Sequence, residues 1–341
     1  MSMSTPRLMR DYNRQQILLA LLNHGPLARA DLAERTALSA VTVTSLTKEL
    51  EESGFITEVA KTEGQAGRPA GIYDLHPALG TLVGIDVQPH ELRILTSDVR
   101  GECRALVTLS APHPEAIDAL LTGWLESLLD QPPHGPVRQV TLSIPAPVSD
   151  QGVPLEPNSL PTVQFTQMRA LLAQAGIEVK LDNDANLHAL AEKHHGAGRT
   201  QQSFMVLIQR ESGIGMGLFL DGALYRGPRG KAGEMALASW PDQAAAVPLE
   251  LLPRPVRQQA LSFLVSAIAV ALDVGLLIIK EDGPPDGPSS AQSIQTVAPH
   301  LQVTLSPLGD DGPALGALVA SRERFTFSLM AGTAAPRALT P

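Results

Sequence analysis

Between Ala40 and Leu50, an apolar stripe and a face of small or short polar side chains share one helical stretch. Val43, Leu46 and Leu50 recur at the spacing that buries one side of a helix. The other side offers Ala40, Val41, Thr44, Ser45 and Lys48, with Thr42 at its edge. Such side chains let a helix enter the major groove and touch base edges there. Further on, Gly64, Gly67, Arg68 and Pro69 make a turn that projects one arginine. A narrow minor groove, with its enhanced negative potential, attracts that group. The bland alternatives are a small helical packing module and an ordinary solvated hairpin tip.

Positioning such a helix requires two more helices and a hairpin. Ile17, Leu18, Leu21 and Leu22 predict a first helix over 12–23, stopped by His24-Gly25-Pro26. Leu32 and Ala33 predict a second over 27–36, and Ser39 is a suitable N-cap for the third, which runs to about residue 52 before Gly54. Two strands, 55–59 and 71–75, flank a basic, glycine-rich loop. Three helices and a hairpin form the winged helix-turn-helix order. The domain is expected to span 1–76, with a hinge at His76-Pro77.

The remainder predicts an α/β body over 77–330. Strands at 82–87, 92–97 and 105–109 read as a meander, followed by a helix at 114–129 and a strand at 140–144. A helix at 167–175 and a strand at 179–181 come next, the strand leading into a helix near Ala185 that Asp184 could simply cap. A second set starts with a strand at 204–209, a turn at Gly213-Ile214-Gly215 and a strand at 217–220. Two mixed halves, divided near residue 200, suggest two lobes with a cleft between them. Residues 331–341, rich in Ala and Pro, read as a flexible tail.

Bulk composition narrows the function classes. Of 341 residues, 44% are hydrophobic and 18% charged, enough apolar material for a core and too little charge for global disorder. The single cysteine, Cys103, gives no disulfide framework and no thiolate cluster for structural zinc, so no metal or other cofactor is expected. The adjacent His194 and His195 are not read as metal ligands. The setting is expected to be the reducing cytoplasm. The apolar run 263–279 is broken by Ser266, Asp273 and Gly275 and reads as a buried helix rather than a membrane span. MSMSTPRLMR lacks the apolar run of a signal peptide. Residues 1–80 carry 8 Lys/Arg against 9 Asp/Glu, and the rest 18 against 26, within a net charge of −9. The acidic body would be repelled by DNA, so any contact with nucleic acid belongs to the first segment.

Longer motifs carry a resemblance. They are NRQQILLALLNHGPLARADLAERTALSAVTVTSLTKELEESGFI with GQAGRPAGIYDL, then SIPAPV at 143–148, PNSLP at 157–161 and LDNDANLHALAEKHHGAGR at 181–199. SGIGMGLFLDGALYRGPRGKAGEMA at 212–236 and GPALGALVAS at 312–321 complete the set. From about Asn13 to about Val319, with gaps, the chain resembles the ROK family (repressor, open reading frame, kinase), specifically its transcriptional regulators. The resemblance implies a two-lobed actin/hexokinase-like, ribonuclease H-like body behind the winged helix-turn-helix. It also implies a double-stranded DNA operator, a homodimer or higher homo-oligomer, and a sugar or sugar phosphate as effector.

By the same resemblance, Asn183, Asp184 and Glu234 are the sugar-binding candidates, with Asp184 the vestige of a kinase's catalytic base. Several family features are missing. The phosphate turn, Asp-x-Gly-Gly-Thr in the family, reads Asp86-Val87-Gln88-Pro89-His90, and proline removes a donor N–H. Leu237 stands where the family has a zinc-binding histidine, and no cysteine follows Cys103. Lys280-Glu281-Asp282 replaces the glycine pair that supports adenosine. The expectation is therefore a repressor without enzyme activity. Two readings stand beside it: an active ATP-dependent sugar kinase with an appended DNA-binding domain, and a regulator whose body only dimerises.

Overall fold

The computed structural model describes residues 5–62, 70–102, 104–210, 212–242, 245–281 and 290–331; Arg68 and the 332–341 tail lie outside the described residues. The N-terminal unit contains α1 (Thr5–His24), β1 (Leu27–Ala28), α2 (Arg29–Thr36), α3 (Ala40–Glu52), β2 (Ile56–Thr62) and β3 (Ala70–Leu75). Its small sheet has the order β1-β3-β2. Helix α3 starts where its cap dictates: Ser39 Oγ accepts the Thr42 N–H at 3.1 Å. Helix α1 begins at Thr5 rather than residue 12. Its first turns expose Leu8, Met9 and Tyr12 and so show no buried periodicity. The expected second helix is a strand and a shorter helix, because Leu27 and Ala28 pair with Tyr73 and Ile72 of β3.

The first lobe contains β4 (Thr81–Gln88), β5 (Glu91–Asp98), β6 (Ala105–Ser110), α4 (Ile117–Asp130), β7 (Val137–Ile144), α5 (Thr166–Gln174) and β8 (Val179–Asn183). Helix α6 (Asp184–His195) leads into the second lobe. That lobe has β9 (Phe204–Arg210), β10 (Gly213–Leu220), β11 (Ala223–Tyr225), the hairpin β12 (Ser239–Asp242) and β13 (Ala245–Pro248), and α7 (Arg254–Leu272). It continues with β14 (Leu276–Glu281), α8 (Ser290–Val297) and β15 (Gln302–Leu305), and α9 (Gly312–Met330) closes the chain. The two large sheets repeat one plan. Their orders are β6-β5-β4-β7-β8 and β11-β10-β9-β14-β15, each an antiparallel meander extended by two parallel strands.

Helices α6 and α9 lie between the sheets, and glycines let them in. A Cβ on Gly84 of β4 would strike the Ala314 and Leu318 backbone of α9, and one on Gly217 of β10 would strike the Ala185 carbonyl of α6. Where the two helices cross, a Cβ on Gly316 would overlap the Leu187 carbonyl. Gly316→Val is expected to destabilise the protein by about 2–3 kcal/mol, because backbone cannot yield as a side chain can. Urea denaturation checks this; an unchanged midpoint would mean that the helices can separate freely.

The apolar run 263–279 is not one buried helix. Asp273 adopts a left-handed conformation (φ 52°) that ends α7, and the chain re-enters the sheet as β14. Helix α7 is long and apolar enough to cross a bilayer by length and composition alone. Ala260, Leu261, Val265 and Ala269 are nevertheless buried in the second-lobe core beside Leu277 and Ile279 of β14, while Phe263 and Val270 are exposed.

The N-terminal unit shares a core with the body. Ile17, Leu18 and Leu21 of α1 belong to one buried cluster with Leu82, Leu95, Leu318, Phe325 and Leu329. Arg100, beyond β5, reinforces the joint. Its Nη1 donates to the Leu21 carbonyl at 2.9 Å, which also accepts the Gly25 N–H at 3.0 Å, and its Nη2 pairs with Asp74 of β3.

Candidate functional site

On α3, the structure exposes Ala40, Val41, Thr44, Ser45 and Lys48, leaves Thr42 half-buried, and buries Val43, Leu46 and Leu50. Val41 is 81% exposed, so its side chain is available at the surface of the helix. Thr42 Oγ1 lies 2.8 Å from Ser39 Oγ, and Thr44 Oγ1 donates to the Ala40 carbonyl at 2.8 Å. Lys48 makes only a loose 3.8 Å pair with Glu52 and is free to reach outward. Arg10 and Arg14 converge on Glu49 of α3, and Arg14 lies over the Phe55 ring.

The second site is the interlobe cleft, where β8 hands over to α6. Asn183 is the N-cap of that helix: its Oδ1 accepts the Ala185 and Asn186 N–H groups at 2.9 and 3.2 Å. Its Nδ2 donates weakly to the Ala146 carbonyl and to Glu234 Oε1, at 3.3 and 3.4 Å. Asp184 accepts from the Ala185 N–H at 2.8 Å but lies inside the helix, so the cap that the sequence offered to Asp184 is made by Asn183 instead. The sequence candidates Asn183, Asp184 and Glu234 thus line one cavity with Ser159, Ser212, Gly213, Ile214, Gly215 and Glu250.

Two residues in the cleft were not singled out from sequence. Arg210, at the end of β9, is 6% exposed in its side chain and crosses the cleft to Asp86 at 2.8 Å, with Asp184 Oδ2 at 3.7 Å. Asp86 is held further by the Ser143 hydroxyl at 2.6 Å and by Gln88 Nε2 at 3.3 Å. Glu250, just before α7, accepts the Ile214 N–H at 3.1 Å. A charged residue ending an otherwise apolar strand was the available signal for Arg210. Glu250 lies between Leu249 and Leu251 and gave none.

Burial governs the electrostatics. It pushes the Asp184 carboxyl up to about 6, with Arg210 opposing and Asp86 reinforcing the shift. Burial, Asp184 and Glu250 together push Glu234 up to about 7, against the pull of Lys231. A carboxyl raised in the folded state binds a proton that the unfolded chain has already released. Its contribution is therefore present at low pH and lost as pH rises through about 7. Glu234→Gln is expected to raise stability at pH 8 by on the order of 1–3 kcal/mol and to change it little at pH 4.5. Melting curves at both pH values check this, and a uniform shift at the two would contradict it.

In front of the cleft lies a cavity of about 420 Å³, lined by Asp86, Gln88, Pro89, His90, Glu91, Arg93, Arg210, Ser212 and Asp310. Of the expected five-residue turn, only Pro89-His90 is turn; Asp86 to Gln88 belong to β4. Three carboxylates face two guanidiniums here, and the guanidiniums are already paired: Arg210 with Asp86, and Arg93 with Glu91 and Asp311. Leu237 is an exposed apolar side chain with no lone pair, and among the described residues no three His, Cys, Asp or Glu converge to hold a metal ion. The residues present do not fit the family's zinc. His194 lies 3.5 Å from Glu323, and His195, pushed down to about 4 by burial and by Arg104, lies 3.3 Å from that arginine.

Residues 82–242 match the model of the ROK family, and residues 10–57 that of winged helix-turn-helix DNA-binding domains. The chain carries a ROK-family domain behind a winged helix-turn-helix. Over 241 residues it is 25% identical to the xylose repressor of Bacillus subtilis (strain 168), covering 69% of this chain and 62% of that repressor's length. Among solved structures it is similar to a ROK family transcriptional regulator, a homologue of the Escherichia coli MLC protein. That match has a TM-score of 0.68 and 18% identity, and covers 95% of this chain and 98% of the other. A ROK hexokinase from Thermus thermophilus matches 72% of this chain and 99% of its own, with a TM-score of 0.58 and 21% identity. The ROK regulator thus shares nearly the whole fold, and the kinase shares the two-lobed body.

Proposed function

We propose that this chain is a DNA-binding transcriptional regulator, acting as a repressor in the cytoplasm. Residues 1–76 read an operator as part of a homodimer or higher homo-oligomer, and 77–330 form a body that senses a sugar. The observation that carries this reading is the α3 face, where Val41, Thr44, Ser45 and Lys48 stand free on a helix anchored by its own buried stripe. The repressors similar to this chain support it. Selection from a random duplex pool with the full chain should enrich one motif repeated about a two-fold axis, since a single helix reads too few base pairs. Failure to enrich any motif would contradict the reading.

The body is proposed to bind without catalysing. Phosphoryl transfer needs donors and a cation free to hold the transferred group, and the Arg210 and Arg93 side chains are instead neutralised by carboxylates. Pro89 presents no N–H there. An assay of ADP release from ATP with hexoses and pentoses should stay at background, and sugar-dependent turnover abolished by Asp184→Asn would make the protein a kinase.

A further inference from the structure

The inner cleft is lined by three carboxylates, Asp184, Glu234 and Glu250, and among its described lining residues there is no lysine, arginine or histidine. The cations near these groups leave the two glutamates without an ion pair among the described residues. Arg210 pairs with Asp86 and Asp184, and Lys231 Nζ donates to the Glu156 carbonyl at 2.6 Å. Glu250 spends one oxygen on the Ile214 N–H. Among the described residues, Glu234 accepts one side-chain hydrogen bond, a long one from Asn183 at 3.4 Å. Withdrawing carboxylates from water without a counter-charge is costly, and a ligand that brings the charge recovers that cost.

We propose that this cleft selects a polyhydroxylated amine, an amino sugar with a free ammonium, over the neutral sugar of the same ring and over N-acetylated or phosphorylated forms. The inference rests on the sugar-sensing reading above. The ammonium sits between Glu234 and Glu250, each with lone pairs to spare, while ring hydroxyls donate to Asp184 and Ser159 or Ser212 supplies a hydroxyl partner. A neutral sugar leaves the two glutamates uncompensated. A phosphorylated sugar adds negative charge beside Asp86, Glu91 and Asp310 at the cavity mouth. The upward push on Glu234 from burial and from Asp184 and Glu250 has the same origin. The groups facing Glu234 are Asp184, Glu250, Lys231 and Asn183, so protonation as pH falls through about 7 removes the charge that the ammonium needs, and the loss is nearly complete at pH 5.5.

The test is calorimetry of the full chain at pH 7 with matched pairs: glucosamine and glucose, galactosamine and galactose, mannosamine and mannose, together with N-acetylglucosamine and glucosamine 6-phosphate. In at least one pair the amine should bind tenfold or more tightly than its neutral partner and weaken at pH 5.5. Glu234→Gln should erase the preference, bringing the amine and its neutral partner to within twofold of each other whatever the change in absolute affinity, and Glu250→Gln serves as the second variant. Equal affinities within every pair, or tighter binding of the N-acetylated or phosphorylated form, would overturn the inference and leave sugar sensing intact. Preference unchanged in both variants would overturn it as well. Silence from every ligand would overturn both it and the sugar-sensing reading.

Discussion

Asp86→Ala should destabilise the full chain by about 3–5 kcal/mol, because it removes the main counter-ion of a guanidinium largely withdrawn from water. Arg210 is 6% exposed in its side chain, and Asp86, at 1%, is its nearest acid, at 2.8 Å; Asp184 is 3.7 Å away. The same substitution strands the Ser143 hydroxyl, which donates to Asp86 at 2.6 Å. Arg210→Met should be similarly costly for the opposite reason, since it leaves Asp86 and Asp184 facing each other without a cation. The double variant Asp86→Leu/Arg210→Met should lose much less than the sum of the two singles, as residues in one ion-pair network couple strongly. Because Asp86 is in the first lobe and Arg210 in the second, the pair also fixes how the lobes meet. Urea titration of the four proteins measures the coupling, and additive losses would show that the two side chains act independently.

Local rules made some of this molecule legible in its sequence. Ser39 as a cap, the Val43-Leu46-Leu50 stripe and the glycine after α3 specify the reading helix within the first segment, and the same chemistry is found in the structure. The Asn183-Asp184 step is similarly local, since one side chain caps the helix that carries the next into the cleft. The features that escaped depend on partners far along the chain. Arg210 acquires its meaning from Asp86 on another sheet, and Arg100 from carbonyls at the end of α1. Arg10 and Arg14 owe their placement to Glu49, which lies more than thirty residues further along the chain. Asp273 ends α7 through a left-handed backbone that its residue type permits but does not demand. In each case tertiary contact, rather than periodicity, decides.

The second large effect is expected at the α3 face proposed to read DNA. Val41 and Ser45 are exposed, so Val41→Glu/Ser45→Glu should leave the melting temperature nearly unchanged, as surface substitutions usually do. Two carboxylates brought against base edges and phosphates should nonetheless cost at least ~100-fold in operator affinity, about 2.7 kcal/mol. The loss should fall on specific binding, which depends on the reading helix, more than on weak, salt-sensitive attraction to any duplex. Fluorescence anisotropy on the duplex enriched from the random pool, at one fixed salt concentration, compares the native chain with the variant. The account predicts tight, saturable binding by the native protein and near loss of binding by a variant that melts at the same temperature. Equal affinities for the two proteins would contradict it, because the α3 face would then not be what reads DNA.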